Sequence, residues 1–195
     1  LQDIQNSLNN VNATLHIFHK EVHFVFKKLA EVYYINTIFS HEETGTKLTF
    51  ERDLKIQKYC NENNIIWKEY QTNGIIRKLK NRNNWDKRWN ETMHTFPKSF
   101  DLKKGNFLDL EITFYHSIKG ENLPEEIAKR DKNFQQGGEY WAWRYLDSFI
   151  KERYTNYSRH ISKPELSRKG CSRLSPYLAY GNISMRMVYQ YTIQH

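Results

Sequence analysis

Cysteine is scarce in this sequence: 195 residues contain two, Cys60 and Cys171, far apart and in no Cys-x-x-Cys pattern. Neither a zinc ribbon nor a disulfide framework is suggested. Such usage fits a reducing compartment, and a cytoplasmic protein is expected. No apolar run reaches the roughly 20 residues that a membrane-crossing helix needs, so no membrane partner is expected. The N-terminus lacks the charged-then-apolar layout of a signal peptide. Internal repeats are absent, as are low-complexity tracts beyond a general excess of Asn, Lys and Ile. Acidic residues fall short of basic ones, 22 against 30, which leaves a formal charge of +8 and a pI near 9.3. That balance favours polyanionic partners through phosphate neutralisation. A solvated Lys-rich surface explains the same excess equally well. Aromatics are plentiful at 15%, with 13 Tyr and 5 Trp. Disordered chains are poor in such residues, so the chain is read as folded, with flat rings available for packing or stacking.

Hydrophobic spacing organises the first half. Leu1, Ile4 and Leu8 recur at helical intervals, and residues 1–8 read as the end of an amphipathic helix. Residues 13–18 read as a strand, and residues 21–30 as a helix with Val22, Val25, Phe26 and Leu29 on one face. Residues 32–40, β-branched and aromatic, predict a buried strand. A charged helix is expected over 50–63 and a third strand over 65–70. Strand and helix in alternation imply βαβ crossovers and a parallel sheet, a Rossmann-like α/β domain. Three strands are few for that architecture, so the domain is expected to be truncated, with one or two strands preceding Leu1.

From Gly74 the pattern turns helical again, with Trp85, Trp89 and Met93 on one face as core, and Pro97 ends it. Residues 98–133 show no clean period and read as a linker with one short helix after Leu123. A long amphipathic helix is expected over 139–154, its stripe made by Trp141, Tyr145, Phe149 and Ile150. Two shorter helices follow. Ser175-Pro176 is a helix-start signal, Gly181 a stop, and Ser184 a cap for residues 185–194.

The most chemically suggestive stretch runs from Gly170 to Ser184. Within a few residues it offers a turn glycine, Ser172 and Ser175, Arg173 and a helix start. Such a set can hold an anion through amide N–H groups, hydroxyls and a guanidinium. A capped helix start with no ligand accounts for the same residues. His19 and His23 are four apart, a zinc-ligand spacing, but no third ligand accompanies them and no metal is expected. Glu42 and Glu43 follow a strand end, where α/β sheets bind ligands, and are equally read as acids near a helix start.

Ser172-Arg173-Leu174-Ser175-Pro176-Tyr177-Leu178-Ala179, followed by Gly181 and Ser184, resembles the FAD-domain signature of the DNA photolyase/cryptochrome family. Residues 134–139, then Ala142, Leu146, Phe149, Arg153 and Tyr157, resemble the family's helix entering that domain, and residues 161–164 complete the spacing. Residues 40–45 with Arg52-Asp53, and residues 67–69 with Gly74, resemble stretches of its α/β domain. The similarity is weakest around residues 98–130.

The resemblance implies an internal stretch of such a protein. Residues 1–97 would be part of the α/β antenna domain, 98–133 an interdomain linker, and 134–195 the first helices of an all-α FAD-binding domain. FAD is the implied cofactor, with Tyr157 near its phosphates and Cys171, Ser172, Arg173, Leu174 and Ser175 wrapping the pyrophosphate. A thiol at Cys171 replaces the hydroxyl common there; it is a poorer donor, but its backbone N–H would still serve. A small buried side chain is the other reading of Cys171. A second antenna chromophore, of unspecified identity, is also implied. The implied partner is DNA containing pyrimidine dimers, and a monomer is expected. Arg159 and Lys163 are candidate DNA contacts, with a solvated charge as the equal alternative. The implied activity is a blue-light-driven lyase reaction, deoxyribodipyrimidine photolysis, by electron transfer from reduced flavin to a flipped-out lesion. The alternatives are a cryptochrome photoreceptor without repair, and a basic binding module without cofactor. No catalytic residue is placed within this chain, and residues 1–195 alone are expected to retain little flavin.

Overall fold

In the computed structural model, which describes residues 1–77, 79–129 and 131–195, helices dominate and the strands are short. In chain order the elements are α1 (Gln2–Asn9), α2 (Val22–Ala30), β1 (Thr37–His41), α3 (Lys47–Glu62), β2 (Ile66–Tyr70), α4 (Trp85–His94) and α5 (Ile112–Ile118). There follow α6 (Glu139–Ser148), α7 (Tyr157–His160), α8 (Pro164–Gly170), α9 (Ser175–Ala179) and α10 (Met185–Gln194). The chain divides into two compact units. One comprises Leu1–Leu79 with Phe100–Lys129, the other Lys80–Ser99 with Arg130–His195. Among the described residues no helix is long and apolar enough to cross a membrane.

In the first unit β1 and β2 pair in parallel, Thr37 opposite Ile66 and His41 opposite Tyr70, with α3 crossing between them. Ile38, Ile56, Tyr59, Cys60 and Ile65 make the core, with Phe26, Ile35 and Trp67 packed against it. This is a mixed α/β arrangement with a two-stranded parallel sheet among the described residues.

The strand expected over 13–18 does not form. Its backbone groups are met by side chains rather than by a ladder. Gln5 accepts from Leu15 N–H at 2.9 Å and donates to the Ala13 carbonyl at 3.2 Å. The Tyr115 hydroxyl donates to the Ile17 carbonyl at 2.8 Å and accepts from Ile17 N–H at 3.4 Å. Among the described residues a single bridge beside this segment, His19 with Gly120, resembles sheet pairing. Satisfied in this way, the segment has no need of a neighbouring strand.

The stretch expected to be a linker contains α5, whose two turns are too short to reveal a period. Glu111 caps it by accepting from Thr113 N–H at 2.9 Å and Phe114 N–H at 2.8 Å, and Ile118 is buried. Gly120 follows at φ +82°, and a Cβ there would lie 2.1 Å from the His19 carbonyl oxygen. Both the left-handed backbone and the close approach require glycine. Gly120→Ala is therefore expected to destabilise the protein by about 1–3 kcal/mol, read as a lowered urea midpoint.

Helix is also absent from the described residues between 74 and 84. Asn73 accepts from Ile75 N–H at 2.8 Å and Asn81 from Asn83 N–H at 3.0 Å, local bonds that compete with helix formation. Helix begins at Trp85, and of the expected core face Met93 is buried and Trp89 half-buried, while Trp85 is 38% exposed. Met93 is fully buried, Trp89 meets Tyr189 edge-on at 4.9 Å, and Gln190 donates to the Met93 carbonyl at 2.7 Å.

Candidate functional site

The second unit is built on α6. Its innermost positions are Ala142 and Leu146, with Trp141, Tyr145 and Ile150 beside them and Phe149 turned toward Tyr157. The stripe thus centres one residue away from the expected one. Leu174, Tyr177 and Ile183 complete the core cluster. Two stretches 30 or so residues apart in sequence therefore share one core. Tyr177, 2% exposed, donates its hydroxyl to the Gln136 carbonyl at 2.7 Å. Burial pushes its phenol above the ordinary range.

Local chemistry shapes the chain after α9. Gly181 stands at φ +68°, its N–H bonded to the Leu178 carbonyl at 3.3 Å, while Asn182 N–H bonds the Tyr177 carbonyl at 2.8 Å. These bonds are a Schellman stop, as the glycine suggested. Ser184 accepts from Met187 N–H at 3.1 Å and starts α10 where expected.

Before α7 the helical run departs from the expected single helix. After α6 it widens into a π-type turn over Phe149–Arg153, then tightens into a 3₁₀ turn over Tyr154–Asn156. Such widened turns recur at functional sites. Here the turn lets Arg153 fold back along α6. Its Nη2 donates to the Tyr145 carbonyl at 2.7 Å, and its Nε reaches the Ser148 hydroxyl at 3.3 Å. Nη1 donates to the Cys171 carbonyl.

The residues singled out from the sequence lie as follows. Tyr157 opens α7, partly exposed, its ring edge-on to Phe149 at 5.8 Å. Cys171 and Ser172 are half-buried in the turn after α8, and Leu174 is buried in the core. Cys171 is a free thiol, as is Cys60. Arg173 has φ +60°, and its Nε donates to Gln135 Oε1 at 3.0 Å while Gln135 Nε2 donates to the Arg173 carbonyl at 3.0 Å. Ser175 begins α9 and is exposed. Among the described residues the Ser172 and Ser175 hydroxyls have no hydrogen-bond partner. Arg159 on α7 and Lys163 before α8 are exposed. Gln135 and Arg153 were not assigned roles from sequence. Both stood in the resembling stretch, yet only folding shows that they grip the turn.

Charge is divided unevenly. The second unit carries 16 Lys and Arg against 7 Asp and Glu, and the first 14 against 15, so the basic excess belongs to the second.

In the first unit the resembling segments also meet. Trp67 Nε1 donates to the Ser40 hydroxyl at 2.9 Å. Arg77 pairs with Glu69 and approaches Glu42 at 3.8 Å and Asp53 at 4.0 Å, while Arg52 pairs with Asp53 at 2.7 Å and Glu43 at 3.7 Å. Burial opposes the charge on Arg77, but the Glu69 hydrogen bond and the three carboxylates outweigh it, and its guanidinium is held above its usual range. A cavity of about 160 Å³ lies beside Phe50, Trp67 and Arg77. That is below the roughly 300 Å³ at which small-molecule sites begin, whereas a shallower depression of about 380 Å³ beside Glu43, Lys47 and Arg77 reaches that size. The ion network reads as structural, and no residue is assigned to a second chromophore. His23 meets Tyr59 edge-on at 5.2 Å, and among the described residues no three metal-ligating side chains gather. No protein-family model matches the chain, and no curated protein matches it.

Proposed function

We propose that this chain is part of a photolyase-type flavoprotein, and that the turn from Cys171 to Ser175 receives the diphosphate of FAD. One observation supports this most. The two stretches that resemble the family's FAD-binding domain, separated in sequence, pack on each other in one unit and frame that turn. On this reading the first unit belongs to a Rossmann-like domain whose β1–α3–β2 is one crossover.

The donor set suits a diphosphate: two hydroxyls without partners and the Arg173 guanidinium, with the Arg153 charge behind the turn, and neither arginine is ion-paired among the described residues. Bound reduced flavin would supply a light-excited electron to a pyrimidine dimer. The protein's part is to orient the flavin and hold DNA. For the latter, the second unit offers its basic excess, with Arg159 and Lys163 exposed beside the turn's own helices.

The test is made on the complete gene product. Flavin absorbance near 450 nm is the first readout, an approximate position that any bound oxidised flavin shares. Blue-light repair of an oligonucleotide holding a thymine dimer is the second. Bound FAD with repair is the expected result. A protein without flavin refutes the reading; FAD without repair leaves light sensing in its place.

A further inference from the structure

The signature turn is gripped from behind by a cation that has no ion pair among the described residues. Arg153 is half-buried, flanked by the Tyr145 ring at 5.8 Å and the Phe149 ring at 5.7 Å. A guanidinium taken from water ordinarily meets a carboxylate. Arg153 instead meets carbonyls and one hydroxyl. Nη1 bonds the Cys171 carbonyl, while Nη2 bonds Tyr145 O at 2.7 Å and the Ser148 hydroxyl at 3.1 Å and reaches Ser172 O at 3.5 Å. Burial, and beyond it the nearby charge of Arg173, lower its proton affinity.

The geometry of the peptide bond carries the consequence. In a trans peptide C=O and N–H point in opposite directions. Drawing the Cys171 and Ser172 carbonyls toward Arg153 turns the N–H groups of Ser172 and Arg173 away from it. Neither amide has a hydrogen-bond partner among the described residues. Arg173, at φ +60°, gives the turn the left-handed step of a backbone anion nest.

We infer that Arg153 is the positioning residue of this turn. Its planar fork presents the Ser172 and Arg173 amides outward, and its charge, added to that of Arg173, selects a diphosphate over a single phosphate. The inference rests on the reading of the turn as a phosphate cradle.

The test uses residues 1–195, with Arg153→Lys and the milder Ser148→Ala. Lysine keeps the charge and loses the fork. In Arg153→Lys, the amides of Cys171 and Leu178, which flank the turn, are expected to exchange with solvent about tenfold faster, with Val188 in α10 unchanged. In the parent, inorganic pyrophosphate is expected to shift the Ser172 and Arg173 amide resonances saturably. In Arg153→Lys its affinity falls about tenfold, and its preference over orthophosphate narrows. A merely structural arginine would not move that preference. Ser148→Ala, which folds even if the lysine variant does not, is expected to show both effects at about threefold. Unchanged exchange and affinity in both variants, or full rescue by lysine, overturns the inference. Faster exchange in the variants with no pyrophosphate response in the parent would keep Arg153 as the turn's anchor and overturn the phosphate cradle itself.

Discussion

Leu146→Ala is expected to destabilise the second unit by about 2–5 kcal/mol, the range for deleting a buried leucine side chain. Leu146 is 1% exposed and lies among Ala142, Leu174, Tyr177 and Ile183. Removing it opens a cavity between α6 and the segment that carries the signature turn. The neighbours cannot easily close the gap. Tyr177 is tied through its hydroxyl to the Gln136 carbonyl, and the start of α10 is fixed by the Ser184 cap. Denaturant unfolding gives the loss. Amide exchange gives its location, because faster exchange should concentrate in α9 and α10, with α3 of the first unit spared. Uniform acceleration across both units would contradict the division of cores argued above.

Arg77→Leu should also destabilise the first unit, by about 1–3 kcal/mol. Breaking a buried ion pair by removing one partner typically costs about 3–5 kcal/mol. The cost here falls below that range because the Arg77, Glu42 and Glu69 side chains remain 22%, 30% and 21% exposed and are partly screened by solvent. Without Arg77, among the described residues Glu42, Glu69 and Asp53 converge with Arg52 alone to offset them, and Asp53 is 7% exposed. The pH dependence identifies the mechanism. The leucine variant suffers from uncompensated carboxylate charge, so its deficit relative to the parent should shrink as the pH falls through about 4, where carboxylates become neutral. A deficit that stays constant down to pH 3.5, a value taken about half a unit below that midpoint, would point to lost packing by the arginine stem instead.

Much of the fold was legible because its signals are local. The expected strand over 65–70 contains β2, and the β-branched run over 32–40 overlaps β1, which forms only from Thr37 and runs on to His41. The Ser184 cap and the Gly181 stop involve residues at most five positions apart. Where the structure departs from expectation, the deciding partner is distant or the element is too short to show a period. Residues 13–18 have strand composition, but Tyr115, 98 residues from Ile17, supplies the hydrogen bonds that a ladder would have made. Residues 98–133 have no period to detect, since α5 is held by its Glu111 cap and by the burial of Ile118.

The same division holds at the candidate site. Residue identities alone determined that a glycine, hydroxyls, Arg173 and a helix start cluster between Gly170 and Ser184, and that this cluster resembles a flavin-domain signature. They determined the basic excess, but not that it belongs to the second unit. Only the tertiary structure decided that Gln135 and Arg173 bond reciprocally across 38 residues, and that Arg153 reaches from a π-type turn to the Cys171 carbonyl. A guanidinium can satisfy itself on solvent, on a carboxylate or on backbone oxygens at similar local geometry. Which of these it meets depends on what chain packing brings within reach, and no spacing in the sequence records that.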